Sequence, residues 1–107
     1  MRIENIAKMK SGWFIGDFEP SLFKTADFEV GIKKYEVGEY HVPHYHKIST
    51  ELNYLICGTM KANGTLIRPG EIFIFEPGEV ATCEFLTNCE IVVVKVPSAK
   101  DDKYEVQ

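Results

Sequence analysis

Apolar residues fall in short runs broken by glycine, proline and asparagine, and no run holds the 3.6-residue spacing of a long helix. Gly12-Trp13-Phe14-Ile15-Gly16 reads as a short strand, while residues 1–10, with Ile3, Ile6 and Met9, are too short to assign. Residues 17–27 contain Pro20 and read as a loop. Phe28, Val30 and Ile32 then alternate before the phase shifts to Tyr35 and Val37, which predicts a β-bulge at Lys33-Lys34. Asn63-Gly64 predicts a two-residue hairpin, and Arg68-Pro69-Gly70-Glu71 and Pro77-Gly78 predict turns. The unbroken apolar run Ile72–Phe75 predicts a strand buried on both faces, and residues 91–96, nearly all β-branched, predict another strand. Turn signals recurring every eight to twelve residues predict an all-β fold, a small antiparallel β-barrel with no helix longer than about two turns. Its expected inward set is Val42, Leu55, Ile72, Ile74, Phe85, Val92 and Val94.

Residues 38–58 carry the candidate chemistry. Alternation along a strand points His44 and His46 to one face. If residues 47–50 form a four-residue hairpin loop, His46 stands opposite Glu51 and His44 opposite Asn53, with paired Cβ atoms ~5 Å apart. Two imidazoles and a carboxylate then converge, as borderline divalent metals require. A histidine in a β-protein is commonly a hydrogen-bonded structural residue. Here, burying all three groups without a cation would cost several kcal/mol, which favours a metal site. Asn53 faces the same cavity as Glu51 and is a candidate for the substrate or for bracing a ligand. The parity of His41 places it on the opposite face, unless Pro43 bulges the strand.

The same stretch resembles the cupin superfamily. That family's first motif is Gly, five residues, His-x-His, three or four residues, Glu, six residues, Gly, and Gly38, His44, His46, Glu51 and Gly58 match every position. In the second motif Gly70 and Gly78 match, the proline has slipped to Pro77, and Ala81 stands where the family has a histidine. The resemblance covers roughly residues 28–97. It implies a double-stranded β-helix (a jelly roll) with one divalent ion, Fe, Mn, Ni or Zn, on His44, His46 and Glu51. Ala81 would leave coordination positions open for a small molecule or O₂. Cys83, two residues further along the same face, could reach inward, although a packed thiol is the commoner outcome.

With 107 residues, 45% of them hydrophobic, the chain forms one domain: an arm at 1–27, the barrel at 28–97 and a charged surface tail at 98–107. A net charge of −4, with Arg2 and Arg68 the only arginines, argues against nucleic acid. No run approaches the ~20 apolar residues of a membrane helix, and no signal-peptide pattern opens the chain. Cys57, Cys83 and Cys89 are odd in number and lack metal-type spacing, so reduced thiols and a cytoplasmic location are expected. Apolar surface around Trp13 and unpaired strand edges predict a homodimer.

Three functions compete. One is a metal-dependent enzyme acting on a small molecule, and another is a non-catalytic metal- or metabolite-binding module. The third is a sugar-modifying cupin of surface polysaccharide biosynthesis, where a metal-free epimerase would need a histidine base and a tyrosine acid. His44 and Tyr54 fall on opposite faces, which counts against that last chemistry.

Overall fold

The computed structural model describes residues 1–106, so Gln107, at the end of the expected tail, lies outside the described residues. Ten strands run β1 (Trp13–Ile15), β2 (Glu29–Tyr35), β3 (His44–Tyr45), β4 (Thr50–Cys57), β5 (Met60–Ala62), β6 (Thr65–Ile67), β7 (Ile72–Phe75), β8 (Cys83–Phe85), β9 (Cys89–Val96) and β10 (Tyr104–Glu105). The one helical turn among the described residues is a 3₁₀ turn at Ile6–Lys8. Five strands form a sheet in the order β1-β2-β9-β4-β7, and all of its ladders are antiparallel. The order β6-β5-β8 makes a second sheet, and β10-β3 a third.

Leu55, Phe75, Ile91 and Val93 from the large sheet meet Met60, Ala62, Ile67 and Phe85 from the second in one buried core. Non-sequential neighbours such as β2-β9 and β4-β9 fold the chain back across the layers. This all-β, double-layered architecture agrees with the expected barrel. The turns also fall where glycine and asparagine predicted them: β5 and β6 are joined through Asn63-Gly64, with positive φ at both residues.

Several expectations are corrected. β3 does not pair with β4 as a hairpin; it pairs with β10, and His44 bridges Ala81. β2 pairs with β9 without a break from Glu29 to Tyr35, so there is no bulge at Lys33-Lys34; the register shifts between Trp13 and Ile15 and between Leu55 and Cys57. The inward face is offset by one residue on two strands. Phe75, Ile91 and Val93 are buried, whereas Ile72 and Ile74 are 62% and 47% exposed and Val92 and Val94 are only half-buried. Glu51 pairs with Phe75, and Asn53 with both Phe73 and Val93. Cross-strand partners share a face, so the side facing the site takes Phe73, Phe75 and Val93 inward. Ile72–Phe75 is therefore buried on one face only. Val42 is 41% exposed at the rim of the cavity, while Leu55 and Phe85 are in the core as expected.

Candidate metal centre

β3, the start of β4 and the segment before β8 deliver the central side chains. The candidate donor atoms of His44, His46 and Glu51 all lie within 4.8 Å of one another. The two imidazole centroids are 5.4 Å apart with their planes at 79°. The cluster expected from spacing is therefore assembled, although by different strand pairings from the expected hairpin.

Hydrogen bonds around the cluster fix which atoms point inward. His46 Nδ1 donates to the backbone carbonyl of Asp102 at 2.5 Å. A carbonyl only accepts, so Nδ1 carries the proton and Nε2 of the neutral ring is left with a lone pair. That nitrogen is fully buried, makes no hydrogen bond, and lies 3.3 Å from Glu51 Oε1. A lone pair facing a carboxylate is stable only with a proton or a cation between them. The separation of 3.3 Å lies between the edges of an octahedron, about 3.0 Å, and a tetrahedron, about 3.4 Å, with metal–ligand bonds of about 2.1 Å. His44 is oriented in the same way, its Nδ1 lying 3.3 Å from the Val42 carbonyl, which leaves Nε2 for the cluster.

Asn53 is buried and braces the carboxylate. Its Nδ2 donates to Glu51 Oε2 at 3.1 Å and to the Phe73 carbonyl at 3.4 Å, so Oε1 alone faces His46. Burial pushes the Glu51 carboxyl up, but a proton on His46 Nε2, together with Lys95 and Asn53, outweighs it and holds the group below the usual carboxylate range. Burial lowers the His44 imidazole, which favours the neutral form that a metal ligand requires.

The loop carrying His46 is fixed by the C-terminal segment. Asp102 is 6% exposed, and its carboxylate accepts the backbone N–H groups of Lys47, Ile48 and Ser49. Most of residues 98–106 are exposed, but Asp102 and β10 dock the segment against the site, so it is not a free surface tail. No sequence signal marked Asp102, whose partners lie more than fifty positions away.

A cavity of about 280 Å³ opens beside the cluster. Ala81 is buried on its wall and bridges to His44, where the resemblance puts the absent histidine. Cys83 also lines it, and burial together with the Glu51 charge pushes its thiol up to about 11, so it is a protonated wall residue. His41, expected to face away, lines the cavity as well. Its ring packs edge-on against Tyr35, and its Nε2 is 2.6 Å from Glu39 Oε2. Residues 36–43 leave the sheet between β2 and β3, which removes the strand parity on which the expectation rested.

No family model and no curated protein matches the chain by sequence. Solved structures do match. A Klebsiella pneumoniae protein with a double-stranded β-helix domain superposes with a TM-score of 0.72 at 20% identity, over 98% of this chain and 91% of its own. The DMSP lyase DddQ of Ruegeria pomeroyi superposes with a TM-score of 0.72 at 14% identity over 86% of this chain. The chain spans about half of that lyase, 48%. Oxalate decarboxylase of Bacillus subtilis, which has Mn(II) centres, superposes with a TM-score of 0.67 at 17% identity, over 77% of this chain and 25% of its own. The chain has the double-stranded β-helix fold of these structures.

Proposed function

We propose that this chain is a cupin that binds one divalent metal ion through His44, His46 and Glu51 and holds a small molecule beside it. The observation that carries this reading is His46 Nε2: a buried lone pair without a hydrogen-bond partner, 3.3 Å from a carboxylate oxygen. Leaving such an atom unpaired costs about 1–3 kcal/mol, and a cation removes the cost. Two imidazoles and one carboxylate suit Fe, Mn, Ni or Zn. When bound, the ion would supply Lewis acidity at positions the protein leaves free. The chain's own residues do the rest. Asn53 and the Asp102 carbonyl orient two of the ligands, and Phe73, Phe75 and Val93 wall the cavity with apolar surface. Ala81 leaves room where a fourth side-chain ligand would otherwise sit.

The ligand set and the adjoining cavity favour an enzyme or a metabolite-binding module over a purely structural role. Titration calorimetry with Mn(II) and Zn(II) tests the site. One ion should bind per chain, His44→Ala should abolish binding, and Glu51→Gln should weaken it less, because the amide oxygen still coordinates. Unchanged affinity in His44→Ala would remove the site from consideration.

The chain is further proposed to act as a homodimer. The expected contact around Trp13 does not suit this, since Trp13 is half-buried beneath Lys33 and Lys95. The outer face of the five-stranded sheet suits it better, with exposed Tyr54, Ile56, Ile72, Ile74 and Val96 side by side on three adjacent strands. Sedimentation should give twice 12.2 kDa for the parent and 12.2 kDa for Ile72→Lys. A monomeric parent at micromolar concentration would refute it.

A further inference from the structure

The cavity beside the cluster has a charge opposite to that of the whole protein. The chain carries a net charge of −4, yet Lys33, Lys95 and Lys103 all line this cavity, and Glu51 is the only carboxylate residue among its lining residues. None of the three lysines makes an ion pair among the described residues. Lys33 Nζ donates to the Ser11 carbonyl at 2.6 Å, and it and Lys95 lie 5.4 and 5.0 Å from the centre of the Trp13 ring. Their ammonium groups are thus at most about 10 Å from each other, and because Lys33 and Lys95 are partly buried their repulsion is screened less than that of exposed charges. Burial, and then the neighbouring Lys95 and Lys103, pull the Lys33 ammonium below its ordinary pKa.

The acids nearest in register offset only part of this positive charge, and neither forms an ion pair with Lys95. Lys95 on β9 is flanked by its cross-strand partners Glu29 on β2 and Glu51 on β4. Glu29 accepts the Ser98 hydroxyl at 3.3 Å, and Glu51 Oε2 is held by Asn53 while Oε1 faces His46. A divalent ion on the cluster would add further positive charge. Like charges collected in a concave, partly dry site raise the local concentration of anions and favour their binding.

We propose that the cavity binds a small organic carboxylate, its anionic group held by Lys33, Lys95 and Lys103 and its body extending toward the His44–His46–Glu51 cluster. The inference rests on the metal-site reading only for the end of the ligand that reaches the cluster. Carboxylate fits better than phosphate: Lys33 and Lys95 flank an aromatic ring in a cavity with apolar walls, and no helix N-terminus adjoins them. Phe73, Phe75 and Val93 offer apolar wall to a short carbon chain, and about 280 Å³ limits the ligand to metabolite size.

Trp13 is the only tryptophan and lies under two of the three lysines, so its fluorescence reports the site. Succinate, succinamide and inorganic phosphate are titrated into the full chain, and Mn(II) affinity is measured on the same samples by electron paramagnetic resonance. Succinate should give a saturating change in the millimolar range, and uncharged succinamide should give none. Lys33→Gln and Lys95→Gln should each weaken succinate about five-fold or more and leave Mn(II) bound. An equal response to succinate and succinamide overturns the proposal, as does no response to succinate, tighter binding of phosphate, or full succinate affinity in both variants. Succinate binding that depends on the lysines in a protein that fails to bind Mn(II) would support the anion site while refuting the metal reading.

Discussion

Replacing Asp102 with alanine should loosen the protein at the point where its C-terminal segment fixes the His46 loop. The carboxylate accepts Lys47 N–H at 2.9 Å, Ile48 N–H at 3.1 Å and Ser49 N–H at 2.9 Å. Ser49 is 1% exposed, so its N–H would be left without water or partner, at a cost of about 2 kcal/mol for a bond to a charged acceptor. Lys47 and Ile48 are exposed and can rehydrate, which adds about 0.5 kcal/mol each and brings the total to about 3 kcal/mol. In a domain of this size that corresponds to a fall in Tm of about 15 °C. Asp102→Asn should cost nearly as much, because its amide NH₂ would face one of the three donors. Burial pushes the Asp102 carboxyl up, but the three backbone donors outweigh it and hold it low. Its contribution to stability is therefore complete above the unfolded value of 3.8 and is lost as pH falls through the lower folded value. Urea denaturation of the parent and Asp102→Ala at pH 7 and at successively lower pH is the assay. The difference should be full at pH 7 and shrink on acidification below about pH 4. A difference under about 0.5 kcal/mol at pH 7, or one that grows on acidification, would refute the reasoning.

Three further outcomes are expected. Gly58→Ala should destabilise by about 2–3 kcal/mol in urea, since φ is +94° and the new Cβ would lie 2.3 Å from the Asn88 carbonyl oxygen; Gly38→Ala, at φ +76° in open space, should cost about 1–2 kcal/mol. Ala81→His should tighten Mn(II) in calorimetry, because position 81 lines the cavity and pairs with His44; unchanged affinity would mean that the side chain does not reach the ion. Iodoacetamide at pH 8 should modify exposed Cys57 well before Cys83, whose thiol is pushed up to about 11, and mass spectrometry of the early product shows which reacted.

The clustering of His44, His46 and Glu51 was legible in the sequence because their spacing is local. His44 and His46 share a face through a period of two, and the glycines and Asn63-Gly64 mark turns through backbone conformations that few other residues adopt. The strand partners were not legible. The hairpin expected from residues 47–50 is a loop tied to Asp102, an interaction across more than fifty residues that no local pattern encodes. Ile72–Phe75 and residues 91–96 are apolar at almost every position, so they carry no parity of their own. Their inward faces are set by pairing with Glu51 and Asn53, and the expectation chose the wrong alternate residues on both. The lysine-lined cavity was hidden for a similar reason: Lys33, Lys95 and Lys103 come from separate segments, and only the fold brings them together.

His44, His46 and Glu51 are proposed to hold a metal ion. A crystal structure of protein loaded with Mn(II), with anomalous data collected near the manganese edge, tests it most directly. One strong anomalous peak per chain is expected, about 2.0–2.3 Å from His44 Nε2, His46 Nε2 and a Glu51 carboxylate oxygen, with His46 Nδ1 still bonded to the Asp102 carbonyl. An empty cluster at saturating Mn(II), or a peak held by other residues, would contradict it.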